Sequence, residues 1–359
     1  MGIFSGIRDY LKKISSKETE LPDIIFIPPS NTDEEKDLST LFEAGKHYFT
    51  VRVNELFLTQ QMQWFKKYEP VVLAFTEFSY DGKTIEHPYV VGCNMLDEKM
   101  KKIPQGMLFH DTRVAGIHPF KGSKIVTTIV LCQALRGDLL KDAINFIGKV
   151  SDIFSKNISK LLGSYLSAAG TVLDGLDALF KRDDLIPVMG YRKEFDVDAN
   201  DKVKPGYFVL LNKSLDEFDE KKFFIKGKRL HYGDNKDTAV EFRELEFVLF
   251  SLTQTDKRTD YESLPFYETY KEILRDVRDK VKEKQITQEL KDEVVNRITA
   301  LSFDMELSPD LTSTQAEILS DYFFEEIKKI ISKEYKWAAS KGKKVDTYWT
   351  IYREKVRAL

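Results

Sequence analysis

The stretch LKDAINFIGKVSDIFSKNISKLLGSYLSAAGTVLDGLDALF, residues 140–180, determines how the rest of the chain is divided. Its apolar residues recur every three or four positions from Leu140 to Leu179 without a break in phase. Residues at that spacing share one face of an α-helix. A continuous helix of this length would extend roughly 60 Å. We therefore predict a long central amphipathic helix, or a helical hairpin, over residues 138–182.

Small residues inside this central segment indicate close contact with a second backbone. Glycine in a helix interior costs about 1 kcal/mol relative to alanine, so Gly163 and Gly170 require a compensating interaction. Together with Ser167, they would let another backbone approach closely. Three interpretations remain open: a spine between two β-rich regions, an oligomerisation helix, or an element that inserts into a membrane. A break near either glycine would produce the hairpin.

Sequence with a period of two flanks the central segment and predicts strands. Before it lie runs rich in β-branched and aromatic residues, at 48–58, 71–80, 88–93 and 124–132. These runs predict an antiparallel β-sandwich domain over 22–135, with a tight hairpin turn at Asp81-Gly82. After the central segment, shorter runs separated by Gly, Asn and Asp predict a β-meander over 188–255.

From Leu264 onward the period returns to that of a helix, and we predict a C-terminal helical bundle over 264–359. Pro265 suits the first turn of the first helix, and Thr287 suits the N-cap of the second. The third helix is predicted to begin at Ser308-Pro309 or at Ser313 and to carry the apolar residues Ile318, Leu319, Tyr322, Phe323, Ile327 and Ile330. The fold class is therefore α+β.

A short amphipathic helix is predicted at residues 1–16, where apolar side chains alternate with Arg8, Lys12 and Lys13. Such a helix either docks on its own domain or lies on a membrane surface. The opening MGIFSGIRDYLKK lacks the hydrophobic region and cleavage site of a secretory signal. We expect a cytoplasmic protein, peripheral to the membrane if this helix binds lipid.

Charge and cysteine content narrow the class of partner and the compartment. The 359 residues include 55 basic and 58 acidic side chains, for a net charge of -3, which makes nucleic acid an improbable partner. Cys93 and Cys132 provide no disulfide framework, and this favours a reducing compartment.

The motifs of common enzymes are missing from the sequence. It contains no GxxxxGK[ST] or GxGxxG phosphate loop, no GxSxG elbow and no HExxH helix. We predict neither a cofactor nor a metal, and we favour a protein without enzymatic activity.

One cluster of polar residues is a candidate small-molecule or ion site. It lies in HDTRVAGIH and comprises His110, Asp111, Arg113 and His118. A His-Asp-Arg set can hold an anion or move a proton. Because Gly116 lies inside this run, the favoured alternative is a structural loop.

A second set, within residues 255–272, is a candidate interaction surface. Tyrosine and arginine are typical of binding hot spots, and this stretch contains Arg258, Tyr261, Phe266, Tyr267 and Tyr270. The favoured alternative is that the stretch begins a helix and packs on the meander.

Three functional hypotheses follow. The first is a non-enzymatic interaction protein, a subunit or adaptor of a cytoplasmic multi-protein assembly, with a protein partner or self-association. The second is a membrane-associating or membrane-perturbing protein that uses the N-terminal and central helices. The third is a hydrolase with an unfamiliar site near His110 and His118.

Overall fold

The computed structural model describes residues 24–34, 38–57, 68–80, 83–92, 111–122, 124–135, 185–195, 203–211, 218–283, 285 and 287–339. They belong to two compact units, Met1–Asp256 and Lys257–Leu359. The described strands all lie in the first unit and the described α-helices in the second. The protein is a mixed α+β chain with antiparallel sheets and three C-terminal helices. The helix predicted at 1–16 lies outside the described residues, as does the segment 138–182 with Gly163, Ser167 and Gly170.

The first unit contains three antiparallel sheets. Its strands are β1 (Ile24–Ile27), β2 (Tyr48–Phe57), β3 (Tyr68–Tyr80), β4 (Lys83–Gly92), β5 (Thr112–Pro119), β6 (Ile125–Leu135), β7 (Leu185–Phe195), β8 (Gly206–Leu211), β9 (Phe223–Lys226), β10 (Arg229–Tyr232), β11 (Val240–Glu241) and β12 (Phe247–Thr255). A five-stranded sheet has the order β1-β8-β12-β2-β5, and a four-stranded sheet has the order β4-β3-β6-β7. A three-stranded sheet has the order β11-β10-β9.

The strand pairing agrees with part of the sequence-based prediction and corrects another part. β3 and β4 pair as far as Tyr80 and Lys83, which confirms a hairpin around the predicted turn. Only β9, β10 and β11 form a consecutive meander. β8 and β12 pair with strands of the N-terminal segment instead, and β7 pairs with β6. Long-range strand pairing of this kind leaves no local trace in a sequence.

Two strands were missed where proline or glycine suggested an interruption. β7 contains Pro187, which is compatible with its place at the edge of the four-stranded sheet, where a lost N–H group is tolerated. β5 replaces the predicted loop around Gly116. That glycine has a φ of +101°, and a Cβ there would lie 2.5 Å from the carbonyl oxygen of Phe49. The β5 strand is therefore possible because this position has no side chain.

A β-bulge in β2 changes which side chains face each side of the five-stranded sheet. Val53 pairs with Phe250 and Glu55 pairs with Leu249, so Asn54 is the extra residue. The bulge breaks the strict alternation of β2. Val53 and Leu56 are three positions apart, yet both belong to the same hydrophobic cluster.

Both faces of the five-stranded sheet are covered by apolar side chains. One cluster combines its Val248 and Phe250 with Val72 and Ile129 of the four-stranded sheet. A second cluster lies on the opposite face and includes residues of the three-stranded sheet. It contains Val209, Leu249, Phe223 and Leu230. This central position explains why the strands of the sheet are buried almost continuously.

The second unit contains α1 (Pro265–Lys282), α2 (Gln288–Glu306) and α3 (Ser313–Ala339). Pro265 occupies the first position of α1, as predicted. Thr287 is the N-cap of α2, and its hydroxyl oxygen accepts a hydrogen bond from the Leu290 N–H at 3.2 Å, also as predicted. The helices share one hydrophobic core, in which the rings of Tyr270 and Phe323 stack with centroids 3.8 Å apart.

Candidate functional site

Asp111 is the centre of a polar cluster beside β2. Asp111 immediately precedes β5 and has a φ of +48°. The Arg52 Nη1 atom donates both to the carbonyl oxygen of Asp111, at 2.8 Å, and to its Oδ2, at 3.0 Å. Asn54 Nδ2 donates to Asp111 Oδ1 at 2.9 Å, and Lys228 Nζ donates to Oδ2. Asn54 is thus both the extra residue of the β2 bulge and the residue whose side-chain amide binds the Asp111 carboxylate.

Two buried oxygens near this cluster lack a hydrogen-bond partner among the described residues. They are Asn54 Oδ1 and Ser251 Oγ, whose residues are 2% and 0% exposed. Ser251 pairs with Arg52 across the sheet. Buried polar atoms are commonly satisfied by ordered water. The carboxylate of Asp111, in contrast, already accepts from three side chains, so the cluster offers a place for water more readily than a catalytic base.

Tyr207 extends the polar region along the same sheet. Its hydroxyl donates to Glu34 Oε2 at 2.7 Å. Burial raises the pKa of Tyr207, and the adjacent negative charge of Glu34 raises it further. The phenol therefore stays protonated at neutral pH and acts as a hydrogen-bond donor.

A buried carboxylate, Glu55, joins the five-stranded and three-stranded sheets. It is 1% exposed and accepts from the Leu230 N–H at 2.9 Å and from Arg243 Nη2 at 2.7 Å. Burial raises the pKa of Glu55, while the Leu230 N–H and the Arg243 guanidinium act in the opposite direction. Sequence reasoning missed this pair, because a glutamate within a strand gives no signal of a partner 188 positions away.

Of the residues predicted as an ion or small-molecule site, the structure describes Asp111, Arg113 and His118, and these three do not gather around one point. His118 is 4% exposed, and its ring stacks on Phe78 with centroids 4.3 Å apart. β5 pairs with β2 from Thr112 opposite Val53 to His118 opposite Phe49, and at about 3.3 Å per residue of β2 these two ends lie about 13 Å apart. Arg113 is exposed, and His110 lies outside the described residues. The hydrolase hypothesis, which includes His110, stays a prediction.

A second histidine accompanies His118 in the buried region. The ring of His87 lies 6.1 Å from that of His118. Burial lowers the pKa of His87, although hydrogen bonds to the backbone act in the opposite direction. A half-buried imidazole beside His118, with its pKa lowered, fits a packing role.

The predicted interaction residues of 255–272 separate into buried and accessible groups. Phe266 and Tyr270 are 7% and 4% exposed and belong to the helical core. Arg258 is 8% exposed. Tyr261 and Tyr267 are half-buried, with ring centroids 5.9 Å apart, and they remain accessible to a partner.

Arg258 holds the connection between α2 and α3 in place. Its backbone N–H donates to Gln315 Oε1 and its carbonyl accepts from Gln315 Nε2, both at 2.9 Å. Its Nη1 donates to the Asp310 carbonyl at 3.0 Å. The guanidinium also binds both carboxylate oxygens of Asp260, at 2.8 and 3.0 Å.

Four large apolar side chains of the second unit are exposed to solvent. They are Phe303 at 48%, Leu307 at 79%, Ile318 at 61% and Tyr322 at 51%. Ile318 and Tyr322 belong to the apolar residues expected in the third helix, but they lie outside its buried stripe. The observed stripe contains Leu319, Phe323, Phe324, Ile327 and Ile331. Periodicity detects an apolar sector of a helix, but the width of the buried part depends on the neighbouring helices.

Within the described ranges, no helix combines the length and apolar character needed to cross a membrane. The same residues contain no group of three or more His, Cys, Asp or Glu that could hold a metal ion. Comparison with protein-family models, with curated proteins and with solved structures finds no match for this chain.

Proposed function

We propose that the protein is a non-enzymatic subunit or adaptor of a cytoplasmic multi-protein assembly, and that it binds a partner through its helical unit. The observation that carries this proposal is the exposed apolar set Phe303, Leu307, Ile318 and Tyr322. We refer to it as the α2–α3 surface. Exposed apolar groups of this size are typical of interaction sites, and aromatic residues are frequent hot spots.

The four residues lie near one end of the bundle. Leu307 immediately follows α2, and Phe303 lies about one turn before it. Ile318 and Tyr322 lie about 8 and 14 Å along α3 from its first residue. Phe303 and Leu307 are four positions apart and share one side of the end of α2, and Ile318 and Tyr322 do the same on α3.

The connection that separates these residues is well ordered by internal contacts. Leu311 is fully buried, and the Thr312 hydroxyl oxygen accepts from the Gln315 N–H at 3.2 Å. The hydrogen bonds of Arg258 to Asp310 and Gln315 add further constraints. A surface that is already rigid loses little conformational entropy on binding, and this supports its use as a docking site.

Tyrosines of the first helical segment extend the same region. The rings of Tyr267 and Tyr322 both lie near Phe323, with centroid distances of 6.1 and 5.7 Å. Tyr261 lies beside Tyr267. Two of the residues singled out by sequence composition therefore border the proposed surface.

We also propose the finer architecture of the first unit. Inward side chains of the two large sheets share one hydrophobic cluster, which supports a β-sandwich. The periodicity of 138–182 supports a central helix or hairpin with Gly163 and Gly170 at a close backbone contact. Self-association through that segment is compatible with a partner on the α2–α3 surface.

Affinity purification and light scattering of the full chain test the proposal. We expect Leu307→Ser and Ile318→Ser to lose co-purifying proteins, or the oligomer, that the wild type retains. Val240→Ser is the matched control, because Val240 is 69% exposed but lies in the first unit. Circular dichroism should be unchanged in all three variants. Binding that survives both substitutions in the helical unit would contradict the proposal.

A further inference from the structure

A row of polar side chains crosses the five-stranded sheet on the face turned away from the four-stranded sheet. Ser251 of β12 pairs with Arg52 of β2, and Arg52 pairs with Arg113 of β5. Directly paired residues of antiparallel strands lie on one face of a sheet. Val51 and Val53 pack in the cluster that includes the four-stranded sheet, so Arg52 between them points to the other face. The three paired residues therefore share that face.

Cationic groups are concentrated where this row reaches β2 and β5. Arg52 Nη1 and Lys228 Nζ both bind Oδ2 of Asp111, which holds the guanidinium and the ammonium close together. Arg113 is exposed and, among the residues that the structure describes, has no ion pair. Three cationic side chains thus share one carboxylate. Like charges directly opposite each other destabilise a sheet, and a bound anion would offset the repulsion between Arg52 and Arg113.

The cations keep hydrogen-bond donors that the protein does not use. Arg52 donates to described residues only through Nη1, which leaves its Nε and Nη2 for an external acceptor. A lysine ammonium carries three donors, and Lys228 uses one of them on Asp111. The side chains of Arg52 and Lys228 are 31% and 41% exposed, so a solute can reach them.

The hydroxyl of Ser251 is the deepest polar group of the row. Ser251 is 0% exposed, and its Oγ has no hydrogen-bond partner in the described part of the chain. A buried hydroxyl without a partner is unfavourable. Because Ser251 lies directly across the sheet from Arg52, a ligand oxygen beside that arginine can accept the unused proton. This second observation points to a ligand independently of the charges.

The carboxylates at the other end of the row already have partners. Tyr207 pairs with Ser251 from the β8 side, and its hydroxyl donates to Glu34 Oε2 at 2.7 Å. Asp33 Oδ2 accepts from the Gly227 N–H at 2.7 Å, in the turn between β9 and β10. The excess of donors is therefore confined to the part of the row on β2 and β5.

We infer that this part of the row binds the phosphate group of a small molecule. We refer to it as the β2–β5 anion site, and it comprises Arg52, Arg113, Lys228 and Ser251. The planar fork of a guanidinium matches two phosphate oxygens, and an ammonium adds a compact charge. Asp111 positions Arg52 and Lys228 and does not touch the ligand. The full burial of Ser251 limits access to a group as small as a phosphate.

Calorimetric titration of the full chain with inorganic phosphate tests the inference, with acetate at equal ionic strength as the weaker anion. We expect saturable binding of phosphate and weaker binding of acetate, because three cations favour a dianion. Ser251→Ala and Arg113→Gln should each weaken phosphate binding about tenfold, since each removes a hydrogen bond to a charged group. Absence of saturable phosphate binding to the wild type would overturn the inference.

Urea unfolding of the same variants without phosphate separates binding from a structural role. Ser251→Ala should not lower the stability of the free protein, because the hydroxyl has no partner to lose. Arg113→Gln should not lower it either, because it removes a like charge opposite Arg52. Variants that are destabilised but bind phosphate as the wild type does would assign both side chains to the fold and overturn the site.

Two matched substitutions in the helical unit serve as controls. Arg275→Gln removes an exposed arginine of α1, and Ser302→Ala removes a buried hydroxyl that donates to the Ile298 carbonyl at 2.9 Å. We expect both to bind phosphate as the wild type does. Weakening by Arg275→Gln equal to that by Arg113→Gln would indicate attraction to overall charge and would overturn the site.

A phosphate group can also belong to a lipid, and vesicles containing phosphatidic acid distinguish that source. Vesicle binding that depends on Arg113, without binding of inorganic phosphate, would overturn the small-molecule ligand. The site lies in the first unit and is independent of the α2–α3 surface. Leu307→Ser and Ile318→Ser should therefore leave phosphate binding unchanged, so failure of either proposal leaves the other standing.

Discussion

Glu55 shows how a carboxylate is accommodated between two sheets. Its oxygens accept from the Leu230 N–H and from Arg243, whose guanidinium lies over the Phe57 ring at 5.2 Å and near the Phe247 ring at 5.9 Å. The arginine is therefore held by both charge and ring contacts. Removing the carboxylate would leave a buried N–H group without its acceptor, which costs about 1–3 kcal/mol.

The raised pKa of Glu55 predicts an unusual pH dependence of stability. Because the folded state binds this proton more tightly than the unfolded chain, the contribution of Glu55 is complete below the unfolded pKa and is lost as pH rises through the folded value. The stability of the wild type relative to Glu55→Gln should therefore fall as the pH rises above about 4, until the carboxylate of the folded state is also ionised. Urea unfolding over this range measures the difference.

Glu241 provides a control of opposite sign. Its hydrogen bond with Arg229 lowers the pKa of Glu241, so its contribution is present above the unfolded pKa and is lost as pH falls through the folded value. The stability of the wild type relative to Glu241→Gln should rise with pH. Parallel pH profiles for the two variants would contradict the assignment of opposite shifts.

At the scale of elements, the irregularities of β2 and β5 determine what the five-stranded sheet presents on each face. The bulge at Asn54 separates Val53 from Glu55 in the β12 ladder. β5 pairs with β2 through two further register shifts, which accompany the glycine at position 116. If β2 alternated regularly, without the bulge, the side chains of Asn54 and Glu55 would lie on different faces of the five-stranded sheet from the ones they occupy. The reason is that a shift of one residue exchanges the two sides of a strand.

Gly116 and Gly227 offer a matched pair of substitutions. Gly116→Ala combines a positive φ with a Cβ position 2.5 Å from the Phe49 carbonyl oxygen. Gly227→Ala has a positive φ but nothing within 4 Å of its Cβ position. We expect a loss of about 1 kcal/mol for Gly227→Ala and a clearly larger loss, about 2–3 kcal/mol, for Gly116→Ala. Equal losses in urea unfolding would show that the close backbone approach contributes nothing.

At the scale of the whole molecule, each of the two units has its own hydrophobic core. The helical cluster is formed by side chains of the second unit, between Leu264 and Ile331. Its three helices follow one another within residues 265–339, and helical topologies with short connections favour rapid folding.

The isolated segment 257–359 should therefore fold without the first unit. We expect a helical circular dichroism spectrum and one cooperative thermal transition. Phe323→Ala should remove that transition, since truncating a fully buried phenylalanine costs about 3–5 kcal/mol. Ile318→Ser, at an exposed site, should leave it nearly unchanged. A segment that unfolds gradually would contradict an autonomous helical unit.

Local chemistry was sufficient for several features of the fold and for part of the proposed surface. Pro265 and Thr287 indicated where α1 and α2 begin, because helix initiation depends on groups within one turn. Asp81-Gly82 indicated the hairpin for the same reason. Aromatic content pointed to Tyr261 and Tyr267, which border the α2–α3 surface.

Only the tertiary structure decided the features that depend on distant partners. It placed β8 and β12 between β1 and β2, joined Asp111 to Arg52 and Lys228, and separated Asp111 from His118. It also exposed Ile318, although its neighbour Leu319 in the same apolar set is buried. The physical reason is that periodicity reports a chemical preference for burial, whereas burial itself is determined by which other elements pack against that face.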